Sequence, residues 1–220
     1  LRYHAPFGRW ANGWGTVSDW DGQAWTTPQF VDFDQDGVTE MFVGNHVMNA
    51  ATGAIIASPT TIQRQTWPRG AQNNNDYMSA AYDILPDDFC DNCDGVEIVA
   101  GNTIYAVDLS DPGNDQNGIT IEAQMAPLAT YRDGFTSLAD WNGDGEMDVI
   151  VVATSATGDA SVYIWNPITL TIIEGPTDIK IGNYVAGRAT VADFDGDGIN
   201  ELSIVSLNEL NVFESDLTPK

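Results

Sequence analysis

The stretch VADFDGDGINELSI, residues 191–204, places four carboxylates within nine residues and follows them at once with an apolar run. Two like charges about 4 Å apart repel by about 1 kcal/mol in water and by about 4 kcal/mol at an effective dielectric of 20. A loop beside a buried strand cannot carry that repulsion unless a cation or protons neutralise it. The stretch therefore predicts a cation-binding loop that leads into a β-strand.

The same pattern occurs twice more in the chain. Residues 30–43 read FVDFDQDGVTEMFV, and residues 138–151 read LADWNGDGEMDVIV. Asp or Asn side chains at loop positions 1, 3 and 5 converge on one point when glycine at position 6 permits a sharp turn, and the carbonyl of position 7 joins them. Three matched copies favour Ca²⁺ loops over ordinary Asp-Gly turns.

The last acid of each copy lies at position 9, as Glu40, Asp148 and Glu201. We call these residues the closing acids. An EF-hand needs a bidentate Glu at position 12 and a helix on either side, whereas position 12 is apolar in all three copies and lies in an apparent strand. The pattern predicts a nine-residue calcium loop between two strands.

A fourth, altered copy begins at Asp83 and resumes at Asp94-Gly95 after an insertion. Position 3 is Leu85, and Glu97 comes one residue early after the glycine. Asp83, Asp94 and Glu97 are doubtful metal ligands for this reason. The inserted segment contains Cys90 and Cys93, and the expected disulfide between them can take the place of the ion.

The first acids of the four units are separated by 51, 57 and 53 residues. Each unit reads as a strand, an acidic loop and further short strands bounded by Gly, Pro, Asn and Asp, without a helical period. Four strands repeated at such intervals are typical of propeller blades. The sequence therefore predicts an all-β fold, a β-propeller of four-stranded antiparallel blades.

We expect residues 1–220 to form a single β-propeller domain with four repeats. The repeats fall at about residues 26–57, 77–124, 134–173 and 187–213. The last repeat stops after its third strand, and residues 1–5 are expected to supply the fourth strand of that blade. A closed ring of four blades and a portion of a larger ring both remain open.

The loop sequences DFDQDGVTEMFVG, DWNGDGEMDVIVV and DFDGDGINELSIV resemble FG-GAP/VCBS-type repeats, the calcium-loop blades of integrin α-subunit propellers and many bacterial surface proteins. The resemblance implies about three Ca²⁺ ions, or four if the altered unit binds one. The implied side-chain ligands are Asp32, Asp34, Asp36 and Glu40; Asp140, Asn142, Asp144 and Asp148; and Asp193, Asp195, Asp197 and Glu201. The implied backbone carbonyl ligands are those of Val38, Glu146 and Ile199.

The formal net charge is −24, from 32 Asp plus Glu against 8 Lys plus Arg. Such a surface repels nucleic acid and anionic lipid, and no apolar run is long enough to span a membrane. We therefore expect no nucleic-acid partner and no membrane insertion. The Cys90–Cys93 pair, read as a disulfide, predicts an oxidising, extracytoplasmic setting, either secreted or at the cell surface.

The repeats favour an extracellular binding, adhesion or surface-structural module that is not an enzyme and whose partner is an unknown protein or glycan. A polysaccharide-active enzyme is an alternative, although the remaining candidates show no recognisable spacing: Asp19, Asp21, Asp76, Asp133, Arg132, His4 and His46. A lectin-like binder is another, because four tryptophans precede the first strand: Trp10, Trp14, Trp20 and Trp25. Self-assembly through open sheet edges, or further blades in a longer chain, also remains open.

Overall fold

A computed structural model describes residues 28–59, 68, 71–72, 76–90, 93–110, 118–126, 130–154, 160–179, 186–206 and 209–220. Over these ranges the chain consists of β-strands, turns and irregular segments. The strands form four separate antiparallel sheets and one short hairpin. The prediction of an all-β propeller built of four blades is confirmed. The described part of the chain contains no helix that could cross a membrane.

The sheets follow one another along the chain. Blade 1 contains β1 (Gln29–Val31), β2 (Glu40–Val43), β3 (His46–Asn49) and β4 (Ile55–Ala57). A hairpin of β5 (Ala71–Gln72) and β6 (Asp76–Tyr77) comes next. Blade 2 contains β7 (Ala80–Tyr82), β8 (Glu97–Ala100), β9 (Thr103–Val107) and β10 (Ile119–Gln124). Blade 3 contains β11 (Phe135–Ala139), β12 (Asp148–Thr154), β13 (Ala160–Asn166) and β14 (Thr171–Ile179). Blade 4 contains β15 (Thr190–Ala192), β16 (Glu201–Ser206) and β17 (Glu209–Phe213).

Each blade is a simple meander in which neighbouring strands are sequential, and the acidic loop joins its first two strands. Blade 4 has three strands within the described residues, which agrees with the early end of the last repeat. Beyond β17 the chain turns back, so that Pro219 bridges to Phe213 and the Lys220 N–H donates to the Val212 carbonyl at 2.9 Å. Residues 1–5, the expected fourth strand, lie outside the described residues, and the proposed repeat boundaries stay predictions.

The closing acid occupies the same register in every blade. It opens the second strand and pairs with the last residue of the first strand, as Val31 with Glu40, Ala139 with Asp148 and Ala192 with Glu201. Glu97 pairs with Tyr82 in the same way. Strand pairing therefore aligns the altered unit with the others despite its inserted residues.

After the closing acid, the second strands of blades 1 to 3 are mainly apolar because both of their faces are covered. Successive side chains of a strand point to opposite faces, so in β12 Val149 and Val151 pack towards blade 2, whereas Ile150 and Val152 pack towards blade 4. A further cluster joins blade 1 to blade 2 around Phe42. Three interblade cores therefore hold the four sheets in sequence.

Hydroxyl groups connect the sheets at the same interfaces. The Ser79 hydroxyl donates to the Gly44 carbonyl at 2.7 Å, and the Ser137 hydroxyl donates to the Ala189 carbonyl at 2.7 Å. The Gly101 N–H of blade 2 donates to the Thr136 hydroxyl of blade 3 at 2.7 Å. Thr136 is fully buried, so this bond is shielded from water.

Replacement of Thr136 by Val keeps the shape of the side chain and removes the acceptor of the Gly101 N–H. A buried donor left without a partner costs about 1–3 kcal/mol, and we expect Thr136→Val to lower the free energy of unfolding by that amount in urea denaturation. Thr190→Val, at an exposed position of β15, is the matched control and should change it little. Equal stability of the two variants would contradict the interface role of Thr136.

Candidate metal-binding loops

The first acid of each intact loop organises the turn through the backbone. One oxygen of that Asp accepts the N–H of position 5, and the other accepts the N–H of the glycine at position 6. The glycine bonds measure 2.9 Å at Asp32, 3.0 Å at Asp140 and 2.9 Å at Asp193. The three loops share these hydrogen bonds, although only positions 1, 5 and 6 are identical in all three sequences.

The acid at position 5 accepts a hydrogen bond from the backbone of position 7. Asp36, Asp144 and Asp197 each accept the N–H of position 7 with one oxygen, at 2.7, 2.9 and 2.8 Å. These bonds fix the side chain and the backbone of position 7 relative to each other. In the first and last loops the carboxylates at positions 1, 3 and 5 come together on one side of the loop.

Glycine at position 6 is required by its backbone conformation. The φ angles are +87° at Gly37, +94° at Gly145 and +89° at Gly198, a region that residues with a Cβ rarely adopt. A Cβ on any of the three would have no atom within 4 Å. The conformation, and not crowding, decides the residue type at this position.

The closing acid is buried and holds the loop from the strand side. Glu40, Asp148 and Glu201 are 5%, 0% and 0% exposed. One oxygen of each accepts the N–H of loop position 2, at 3.0 Å from Phe33, 3.1 Å from Trp141 and 2.6 Å from Phe194. This bond ties the start of the second strand to the backbone of the loop.

The predicted ligands are gathered to different degrees. Four carboxylates of the last loop have oxygen atoms within 4.8 Å of one another, those of Asp193, Asp195, Asp197 and Glu201. In the first loop Asp32, Asp34 and Asp36 meet this limit without Glu40. The structure forms no such cluster from Asp140, Asp144 and Asp148, nor from the described acids of the altered unit.

The middle loop nevertheless has a donor set suited to a cation. Within the described residues the Asp148 Oδ1 atom is buried and has no hydrogen-bond partner. Burial, together with the charges of Asp144 and Asp140, raises the pKa of Asp148 to about 6. A buried oxygen without a partner is costly, and a hard divalent cation bound by oxygen ligands would satisfy it.

The first loop shows the same electrostatic strain. Burial raises the pKa of Glu40, and the charges of Asp34, Asp32 and Asp36 act in the same direction against the stabilising Phe33 N–H. Each intact loop combines a buried closing acid with further oxygen-bearing side chains of the type that Ca²⁺ prefers. The residues present therefore fit a divalent cation.

The altered unit retains the closing acid and lacks the cluster. Glu97 is 1% exposed and accepts the N–H groups of Ile84 and Leu85 at 2.9 and 3.2 Å. Glu97 comes one residue early in the sequence, but in the sheet it has the same register as the other closing acids because it pairs with Tyr82. Leu85 is buried at position 3, where the other loops carry exposed Asp34, Asn142 and Asp195, and the predicted Cys90–Cys93 disulfide is present. Burial and Asp83 raise the pKa of Glu97 to about 7.

One residue that contacts the last loop is not predicted by the sequence pattern. The Lys220 ammonium lies 2.7 Å from Asp195 Oδ2 and 2.9 Å from Glu201 Oε1, within the last loop. It is 19 residues beyond Glu201 in the chain, so loop spacing gives no signal for it. Asp216, whose carboxylate accepts the Thr218 N–H at 2.9 Å, is the local turn signal that returns the chain to this loop.

Most of the residues considered for catalysis or sugar binding lie outside the part of the chain that the structure describes. Trp10, Trp14, Trp20, Trp25, His4, Asp19 and Asp21 lie outside the described residues. His46 is buried in β3, and Arg132 and Asp133 are neighbours in the turn before β11. Asp76, the remaining candidate, lies in β6 of the short hairpin.

Comparisons with known proteins give one family match and one structural match. Residues 140–203 match the model of the FG-GAP-like repeat, from the first acid of the middle loop to the strand after the last loop. No curated protein matches the chain. Among solved structures, the V. cholerae biofilm matrix protein Bap1 aligns with 88% of this chain at 18% identity and a TM-score of 0.47. The chain spans about a quarter (27%) of the length of Bap1.

The buried Glu97 predicts a pH-dependent stability. A raised pKa in the folded state stabilises the fold below the ordinary value of 4.5, and this contribution is lost as the pH rises through about 7. Glu97→Gln removes the titration. The difference in unfolding free energy between Glu97→Gln and wild type should therefore grow in favour of the variant by at most about 3 kcal/mol between pH 4 and pH 8.

The measurement is urea denaturation at each pH. Glu209→Gln, which changes an exposed carboxylate of β17, is the control and should follow the wild-type curve. Parallel curves for wild type and Glu97→Gln would show that Glu97 does not titrate in this range.

Proposed function

Because this chain is a β-propeller protein with FG-GAP-like repeats, we propose that it is a calcium-stabilised binding, adhesion or surface-structural module without catalytic activity of its own. Three Ca²⁺ ions bind in the three intact loops, and the altered unit is held by its disulfide and by Glu97. The repeated loop, with its buried closing acid, is the observation that carries this proposal.

The donor set favours Ca²⁺ over Mg²⁺. Each intact loop offers four oxygen-bearing side chains and the carbonyl of position 7, all from one short segment. Ca²⁺ takes six to eight oxygen ligands in flexible geometry, whereas Mg²⁺ demands a tight octahedron and retains several waters. The unpartnered Asp148 Oδ1 atom supports a ligand role for the closing acid.

The role of the ion follows from the position of the loop. The loop joins the first two strands of a blade, and its closing acid is the first residue of the second strand. An ion between positions 1, 3, 5 and 9 would tie the two strands together and cancel the repulsion beside the interblade core. Calcium in this protein is therefore proposed to stabilise the blades, and the bound partner, a protein or glycan, would contact other surfaces.

The extracytoplasmic location rests on two features. The Cys90–Cys93 disulfide is of a kind that persists in oxidising compartments. Exposed clusters of carboxylates suit an environment in which calcium is abundant, since extracellular modules bind it at about 10⁻⁴–10⁻³ M. Together these features support a secreted or surface-attached protein.

Calcium should raise the melting temperature. A ligand that binds only the folded state at one hundred times its dissociation constant adds about 2.7 kcal/mol, which corresponds to roughly 5–10 °C per site for a chain of this size. For dissociation constants of about 10⁻⁴–10⁻³ M this gain requires about 10–100 mM calcium. We expect it at those concentrations relative to excess EDTA, and a smaller gain in magnesium. Unchanged melting in EDTA and calcium would contradict the calcium proposal.

Two variants of one loop separate ligation from charge. Asp144→Asn removes an acid at position 5, whereas Glu146→Gln removes an exposed acid at position 7, where only the carbonyl is proposed as a ligand. We expect Asp144→Asn to lose most of the calcium-dependent gain of one site and Glu146→Gln to keep it. Equal losses in differential scanning calorimetry would show that calcium responds to net charge alone.

The proposal also predicts no turnover of polysaccharides. Incubation with acidic and neutral polysaccharides in calcium should leave their chain lengths unchanged by size-exclusion chromatography, because the clustered acids of the first and last loops are proposed to bind calcium and not substrate. Heat-denatured protein is the control. Product release that depends on the folded protein would favour the enzyme alternative.

A further inference from the structure

Lys220 brings a positive charge into the acidic cluster of the last loop. Its ammonium contacts Asp195 Oδ2 at 2.7 Å and Glu201 Oε1 at 2.9 Å, which belong to loop positions 3 and 9. Glu214, in the segment that leads to Lys220, supplies a third carboxylate at 3.2 Å. The side chain of Glu201 is 1% exposed and that of Lys220 is 28% exposed, so the contact is partly shielded from water.

The segment that carries Lys220 is held in place by the fold. The Glu214 N–H donates to the Thr218 carbonyl, and the Lys220 N–H donates to the Val212 carbonyl, both at 2.9 Å. Leu217 is 2% exposed and packs in the core between blades 3 and 4. The ammonium is therefore delivered to the loop by residues 214–220, which we call the C-terminal segment.

The last loop differs in this respect from the other two. Lys220 forms salt bridges with Asp195, Glu201 and Glu214, so the ammonium contacts the closing acid of this loop. The closing acid of the middle loop has a buried oxygen without a partner, whereas the corresponding oxygen of Glu201 accepts the lysine. The same ligand position thus has two different environments within one molecule.

We propose that Lys220 is an internal competitor for calcium at the last loop, so that binding of the ion displaces the ammonium and loosens the C-terminal segment. This inference rests on the proposed calcium binding. It adds that the last loop binds calcium less tightly than it would without the lysine. Calcium binds carboxylate oxygens at 2.3–2.6 Å, and two of the oxygens it needs already contact the ammonium. The two cations would also repel each other at this separation.

The competition has a thermodynamic consequence. The apparent affinity of a site falls by the fraction of molecules in the binding-competent state. If the lysine occupies the loop in about nine molecules of ten, removal of the ammonium raises the calcium affinity of the last loop about tenfold. The first and middle loops keep their affinities because Lys220 does not contact them.

Displacement also has a structural consequence for blade 4. The Lys220 N–H and Pro219 lie along the outer edge of β17. Loosening of the segment would free backbone groups at that edge, and exposed edges are places where other strands can pair. Calcium at the last loop would then control access to the edge of the last described strand.

The experiment is a calcium titration followed site by site with amide NMR spectra. The glycines at position 6 report each loop separately, as Gly37, Gly145 and Gly198. The titration is carried out on wild type, Lys220→Gln, Lys220→Arg and Lys180→Gln. Lys180 is the other lysine of the chain, so its variant matches the change in net charge.

We expect the Gly198 midpoint of Lys220→Gln to fall about tenfold below that of wild type, with the other two glycines unchanged. Lys220→Arg and Lys180→Gln should keep the wild-type midpoint. In wild type the amides of Thr218 and Lys220 should change together with Gly198 and become more mobile by ¹⁵N relaxation.

Three results would overturn the inference while calcium binding itself stands. They are equal Gly198 midpoints in wild type and Lys220→Gln, an equal effect of Lys180→Gln, and amides of the C-terminal segment that do not respond to calcium. Absence of calcium shifts at all three glycines in every variant would instead overturn the proposed function, and the inference with it.

Discussion

The buried closing acid at the start of each second strand is the constraint on which the rest of each blade depends. Its position is fixed by pairing with the last residue of the first strand, and its carboxylate holds the N–H of loop position 2. A charge placed there must be neutralised, because the adjoining residues of the strand form the interblade core. The acidic loop, the register and the apolar strand are consequences of one arrangement.

Much of the fold follows from sequence because the loop marks the same point in every blade. The acids at positions 1, 3, 5 and 9 located the first two strands, and the spacing between copies gave the number of blades. The extent of β14, which continues to Ile179, lay beyond the apolar pattern because its second half is polar and partly exposed. The β5–β6 hairpin and the return of the C-terminal segment depend on contacts that no local pattern encodes.

The sequence predicts which residues make up each loop. It predicts less well how the four loops differ from one another in the folded chain. Asn142 and Leu85 were visible in the sequence as departures from the acid pattern. The alignment of Glu97 with the other closing acids was not, since it arises from pairing with Tyr82 across an insertion. The contact of Lys220 with Glu201 joins two points distant in the chain, and only folding of the last blade brings them together.

The buried closing acid thus has a different environment in each of three units. The altered unit has a buried Leu85 at position 3 in place of an exposed polar ligand, and its Glu97 has a pKa of about 7. In the last loop an ammonium of the same chain contacts the closing acid, and in the middle loop an oxygen of Asp148 has no partner.

The most direct test of calcium binding in the loops is anomalous scattering from crystals saturated with calcium. The account predicts one peak in each intact loop, about 2.3–2.6 Å from the carboxylate oxygens, and none at Glu97. Absence of a peak in all three loops would contradict it.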